Sequence, residues 1–316
     1  MFSTLHYHTL SYLRIFTAFR YINPPSSHRQ QTTWTTLLQE ARDRFLHHVE
    51  SRTPKCQVHE IQGSGSDIVY SEKTMHMNEV QLYLRKDPGQ PCLRLIKLEI
   101  DVLARRIPQP QQNLAWVPDM APELGIDVYD LGNIPSFTAK FLARECPIHG
   151  EGNVFKFYGG VANSFIIASY NSVTGATTCL LLKENGKHAA EVYRYMTGFL
   201  NENRALFQSY YFLPLLLLAS RVEMGASLLM KSFYGDTRLI DEKNITDWEF
   251  SRDCLRWAQH YFNYSSDVAK YLREQLDTLA EQGASDMLPK DVAAGHTAIR
   301  EAISILEPTI APNIWK

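Results

Sequence analysis

The sequence has no Cys-x-x-Cys pair, and its five cysteines, Cys56, Cys92, Cys146, Cys179 and Cys254, are scattered and odd in number. That argues against a disulfide framework or a zinc ribbon and for a reducing compartment, with the cytoplasm as the expected location. There is no excess of either charge: 32 Lys and Arg stand against 34 Asp and Glu, a net charge of -2. No global field therefore draws the chain to nucleic acid or to an anionic membrane. A long apolar run is also missing. The most apolar stretch, Tyr210 to Ala219, contains Pro214 and falls short of the ~20 residues that cross a bilayer, so a buried helix is expected instead of a span. No fixed-period repeat is visible, which argues against a solenoid.

Catalytic signatures are absent as well. There is no G-x-S-x-G, and no cysteine stands where its pKa would be lowered. Tyr158-Gly159-Gly160-Val161-Ala162-Asn163 lacks the Lys of a phosphate loop and the third Gly of a dinucleotide fingerprint, so a tight turn between strands is expected there. Eleven histidines are present, but their spacing is not that of a metal site. His188 and Glu191 would share a helix face and make half a site, and no second such pair accompanies them. His59 and Glu60 fall on a predicted strand with their side chains on opposite faces.

What is present is ordinary globular material, 316 residues of which 45% are hydrophobic, enough for one large core or two smaller ones. Before Glu40 there is no acidic residue, while Arg14, Arg20 and Arg29 occur among Ser and Thr, and Leu5, Leu13, Phe16 and Phe19 would share a helical face. Residues 1–28 are thus expected to form a docked helix or, as the alternative, a mitochondrial targeting segment. Asn23-Pro24-Pro25-Ser26-Ser27 ends that segment. Trp34, Leu37, Leu38, Ala41, Phe45 and Val49 then predict an amphipathic helix.

Strands are predicted at Glu79 to Arg85 and Ile96 to Val102, paired as an antiparallel hairpin through Asp87-Pro88-Gly89. Pro108 to Pro122 reads as an extended surface loop or the boundary between two lobes, and Ile134 to Arg144 as a short helix. Val154–Tyr158, Ser164–Tyr170 and Thr177–Leu182 are strand-like, the last two joined by the turn Asn171-Ser172-Val173-Thr174-Gly175. From His188 onward the pattern is helical, at about 189–206, 213–234, 245–281 and 291–306. The expected fold is α+β: a β-rich N-terminal half with one long helix (29–185) and an all-helical C-terminal half (186–316).

One arrangement in the predicted hairpin suggests chemistry. Glu79 would lie opposite Glu99, with Asp101 nearby and Gly63-Ser64-Gly65-Ser66 preceding. Carboxylates on adjacent strands beside a Gly-Ser turn resemble a polymerase-β-like nucleotidyltransferase, which would hold Mg²⁺. Gln81 stands where a second carboxylate is needed, and a solvated, charge-mixed strand face explains the same residues. Gly63 and Ser64 are the candidate phosphate-gripping positions, and no other cofactor is suggested.

Ser169-Tyr170-Asn171-Ser172-Val173-Thr174-Gly175-Ala176-Thr177-Thr178-Cys179-Leu180-Leu181-Leu182, followed by Tyr211-Phe212-Leu213-Pro214-Leu215-Leu216-Leu217-Leu218 and the long helix through Trp257 and Leu279, resembles the soluble region of fungal CorA-like proteins. The resemblance implies a strand-turn-strand leading into a helical bundle. Transport in that family rests on a C-terminal pair of membrane helices and a Gly-Met-Asn loop, neither of which is found in this sequence, so no functional residue is carried over.

The long predicted helix carries Trp248, Trp257, Tyr261, Phe262, Tyr264 and Tyr271 on more than one stripe. One neighbouring helix covers one face only. The leading expectation is a soluble, non-catalytic protein that binds a protein partner or forms a homo-oligomer through its C-terminal helices. The alternatives are a degenerate nucleotidyltransferase-like protein, or a small-molecule enzyme with a motif-free pocket between the lobes.

Overall fold

The computed structural model describes residues 28–51, 53–86, 89–102, 114–121, 124, 126–132, 141–147, 153–161, 164–184, 186–234, 245–281 and 290–310. Residues 1–27 of the expected targeting segment, with its Asn23–Ser27 break, lie outside these residues. The fold is α+β, with a mixed sheet in the N-terminal half and helices in the C-terminal half.

The strands are β1 (Val49–Ser51), β2 (Lys55–Gln62), β3 (Val69–His76), β4 (Cys92–Val102), β5 (Phe141–Pro147), β6 (Asn153–Val161), β7 (Ser164–Asn171) and β8 (Ala176–Glu184). They form one eight-stranded sheet in the order β3-β2-β4-β8-β7-β6-β5, with β1 beside β4. All pairings are antiparallel except β4 with β8, where Cys92 lies against Ala176 and Ile100 against Glu184. Asn171 makes the β7–β8 turn: its backbone carbonyl accepts from Gly175 N–H, its side chain accepts from Val173 N–H, and Gly175 takes φ 65.

Helices α1 (His28–His48), α2 (Met77–Leu84), α3 (Trp116–Asp119) and α4 (Val128–Leu131) cover one face of the sheet. Helices α5 (Lys187–Glu202), α6 (Phe212–Tyr234), α7 (Ile245–Glu281) and α8 (Lys290–Ile310) cover the other. Alternation along β4 feeds both cores: Leu93 and Leu95 meet the C-terminal helices, and Ile96, Leu98 and Ile100 meet the N-terminal ones. A sheet buried on both faces explains the apolar run Cys179–Leu182 in β8, whereas β4 mixes apolar residues for both cores with the charged Arg94, Lys97 and Glu99.

Three local readings are corrected. Residues 79–85 do not form a strand: Met77–Leu84 is helix α2, with Met77 and Val80 buried and Leu82 64% exposed. His76 N–H donates to the Glu79 carboxylate at 2.8 Å, closing a capping box that starts the helix. The described part of 134–144 is strand, since β5 begins at Phe141 and pairs with β6. The described part of Pro108–Pro122 is not a surface loop: Leu114, Trp116, Val117, Met120 and Ala121 are buried against the sheet.

Helix α6 carries its apolar character well past Ala219, through Val222, Met224 and Leu228. Phe212–Ser232 is by length and composition able to cross a bilayer, yet 78% of its most apolar window is buried inside the protein. Leu215, Leu216, Leu217 and Leu218 are at most 1% exposed. Gly159 lets this helix approach the sheet, because a Cβ there would meet Leu217 Cδ2 at 2.2 Å. Gly225 does the same for α7, which lays the Phe262 ring 2.8 Å from where a Cβ would be.

Candidate functional site

Strand alternation gathers a polar cluster on the sheet face beneath α5. β2 turns Gln57 and His59 to this side, β3 turns Tyr70 and Glu72, β4 turns Lys97 and Glu99, and β8 turns Lys183. Tyr193 descends from α5 to meet them.

His59 is 1% exposed, and both its ring nitrogens are engaged. Tyr70 Oη lies 2.7 Å from Nδ1, and Tyr193 Oη lies 2.5 Å from Nε2. Tyr193 donates its one proton to Gln57 Oε1 at 3.0 Å, so it accepts from His59 Nε2–H, and Tyr70 in turn donates to Nδ1. Lys97 Nζ donates to the same Gln57 oxygen at 2.6 Å and lies 4.2 Å from the centre of the Tyr193 ring. It also pairs with Glu99 at 3.0 Å, and Lys183 reaches that carboxylate at 3.7 Å.

Burial, helped by the Lys97 cation and opposed by Glu72, holds His59 below its ordinary range. Burial also drives the Tyr193 hydroxyl well above the usual tyrosine value, with Glu72, Tyr70 and Glu99 adding to it. Burial raises Glu99, but Lys97 and Lys183 outweigh it and keep the carboxyl below its usual range. At neutral pH the imidazole is neutral, both phenols are protonated and Glu99 is charged. The ring nitrogens, the Tyr193 proton and the Gln57 oxygen are all taken up inside the cluster. Such a closed network fixes α5 on the sheet and leaves no free acid or base at its centre.

A second cluster lies on the opposite face. Glu60, 3% exposed, accepts from Arg94 at 3.1 Å and from Lys73 at 2.9 Å. Arg94 also donates to Lys86 O at 3.2 Å and stacks 4.6 Å from the centre of the Tyr83 ring. Burial raises Glu60, but Tyr83, Lys73 and Arg94 together hold it below the usual carboxylate range. The cluster ties α2 and the turn after it to β2 and β4.

The residues singled out in the sequence do not converge. Glu79 caps α2, whose buried face packs on the side of the sheet away from Glu99. Gln81 is on the same helix. Asp101 lies near the end of β4, opposite Glu50 of β1. Gly63 and Ser64 lead the β2–β3 turn, beside Gln62, which pairs with Cys92 at the other end of β4. From Cys92 to Glu99 the strand rises about 23 Å at ~3.3 Å per residue. Gly63 serves the turn itself: φ is 116, and a Cβ would meet Asp67 O at 2.4 Å.

Among the described residues no group of three His, Cys, Asp or Glu side chains is placed to hold a metal ion. The His188 side chain lies outside them, and Glu191 meets Lys231 at 3.1 Å. Cys56, Cys92, Cys179 and Cys254 are buried, and burial alone pushes Cys56 up to about 12.

The surface of α7 is the other feature of note. Phe262 is 1% exposed and Tyr261 is partly buried, but Trp257 is 55% exposed. The His260 ring stands edge-on to Trp257, with centroids 5.6 Å apart, and to Tyr264 at 4.2 Å. Positions 257, 260 and 264 follow helical spacing, so the three rings make a ridge along one side of the helix. The side chain of Trp248 lies outside the described residues. No family model matches the chain, and no curated protein matches it.

Proposed function

We propose that this chain is a non-catalytic interaction protein that self-associates through its C-terminal helices. The observation that carries the reading is Trp257, 55% exposed on a 37-residue helix whose other face is occupied by α6 and α8. A large aromatic ring held by neighbouring rings in an exposed ridge is a typical interface anchor. Closure of the His59 network supports the non-catalytic part, because its acid and base groups are already paired with one another.

A CorA-like soluble region remains part of this reading. It is supported by the element order: Ser169–Leu182 lies in the β7–β8 hairpin, and Tyr211–Leu218 opens the helix that follows α5. Buried, unactivated thiols suit the cytoplasm.

Light scattering after size exclusion tests the proposal. The wild-type chain should elute with the mass of a dimer or higher oligomer, and Trp257→Glu should shift it to the monomer without changing its circular dichroism. A wild-type chain that stays monomeric at high micromolar concentration overturns it.

A further inference from the structure

Helices α5 and α6 run antiparallel but do not close on each other along their whole length. Between them lies a groove of about 270 Å³. Its floor is apolar, formed by Val192 and Met224, which are 3% and 4% exposed. Its walls are charged. Glu191 and Arg194 rise from α5, and Glu223 and Lys231 from α6, each pair falling on one face of its helix. The Tyr195 hydroxyl also lines it, raised by burial and by the nearby Glu223 and Glu202, so it is a neutral phenol at physiological pH.

We propose that this groove binds a small dipolar metabolite of the free amino-acid class. Two of its four charges answer each other, Lys231 with Glu191 at 3.1 Å. Among the described residues neither Arg194 nor Glu223 has an ion-pair partner, and they come from different helices of the groove, α5 and α6. A cation from one helix and an anion from the other, both beside an apolar floor, suit a ligand with a carboxylate and an ammonium group close together. Arg194 takes the carboxylate with its planar fork, and Glu223 takes the ammonium. A polyanion such as a nucleotide would meet two carboxylates, and a polycation two bases. An apolar ligand would desolvate the charged walls without compensation. The volume lies just below the ~300–1,000 Å³ usual for sites of larger ligands, which limits the occupant to a compact molecule.

The site is separate from the Trp257 ridge, so its test does not depend on self-association. The full chain is titrated calorimetrically, and followed by thermal unfolding, with each standard L-amino acid in turn. Acetate and methylammonium serve as half-ligands. At least one amino acid should bind and raise the Tm, and neither half-ligand alone should do so at the same concentration. Arg194→Met and Glu223→Gln should each weaken binding about tenfold or more. Both side chains are exposed, and unchanged Tm values without ligand confirm that the variants fold. Ser227→Trp, which fills the groove and leaves its charges in place, should abolish binding. The proposal is overturned if no amino acid binds in the millimolar range, if the half-ligands bind as well as the whole molecule, or if binding survives Ser227→Trp.

Discussion

Arg221 is the largest fully buried side chain among the described residues, 1% exposed beside a mostly apolar core. Its Nε donates to Gly160 O at 3.0 Å and its terminal nitrogen to Tyr264 O at 2.8 Å, so one guanidinium joins β6, α6 and α7. Burial lowers its pKa to about 10, against the pull of Asp267, and it stays charged at neutral pH. Arg221→Met keeps much of the volume but removes the donors from one buried carbonyl and one part-buried carbonyl. Each such group costs about 1–3 kcal/mol when left unmet, so urea unfolding should show a loss of roughly 2–5 kcal/mol. A loss under about 0.5 kcal/mol, the size of an ordinary surface change, would mean that the fork is not needed.

At the scale of the element, α5 is held to the sheet by two means: Val192, Met196 and Leu200 pack into the core, and Tyr193 enters the His59 network. The second means is sensitive to pH. The groups facing the ring are Tyr70 and Glu72 on β3, Gln57 on β2, Lys97 on β4 and Tyr193 on α5. The folded chain holds His59 below the 6.5 of a free side chain, so below about that pH the unfolded chain takes up a proton that the folded one does not. The stability this group contributes is therefore complete above about pH 6.5 and declines as the pH falls. His260 and His296 are lowered by burial in the same direction. His59→Gln still offers partners to both tyrosines but no longer titrates. Urea midpoints at pH 7.5 and 5.5 should fall less in this variant than in the wild type, although it starts lower. An equal fall in both would place the sensitivity in the other two histidines.

The elements also differ in how plainly the sequence announces them. The C-terminal helices were legible because long apolar periodicity has few competing explanations, and the β7–β8 turn because Asn171 and Gly175 have specific backbone roles. Residues 79–85 were not. Val80, Leu82 and Leu84 alternate as in a strand, but Met77, Val80 and Leu84 also follow helical spacing, and the His76–Glu79 cap decides for the helix. The carboxylate cluster built on that strand falls with it, since Glu99 turns to α5 and Glu79 does not. The network that does form was illegible for another reason. Gln57, His59 and Lys97 follow from alternation once β2 and β4 are paired, but Tyr193 arrives from 134 positions further along the chain, and only the packing of α5 brings it there.

At the scale of the molecule, the parallel contact between β4 and β8 has a consequence for the order in which the protein assembles. On one side of it β2, β3 and β4 pair antiparallel with near neighbours in the chain, and on the other so do β5, β6, β7 and β8. The contact between the two groups joins Cys92 to Ala176 and must close the whole segment between them. Closing that distance costs chain entropy before any pairing repays it, whereas a hairpin such as β7–β8 closes a short turn. The two antiparallel groups should therefore acquire structure independently and dock late. Pulsed hydrogen exchange during refolding reads this directly. Amides that β7 and β8 exchange with each other should gain protection first, and those shared by β4 and β8 afterwards. Protection that rises at both sets together would mean that the sheet forms as one unit.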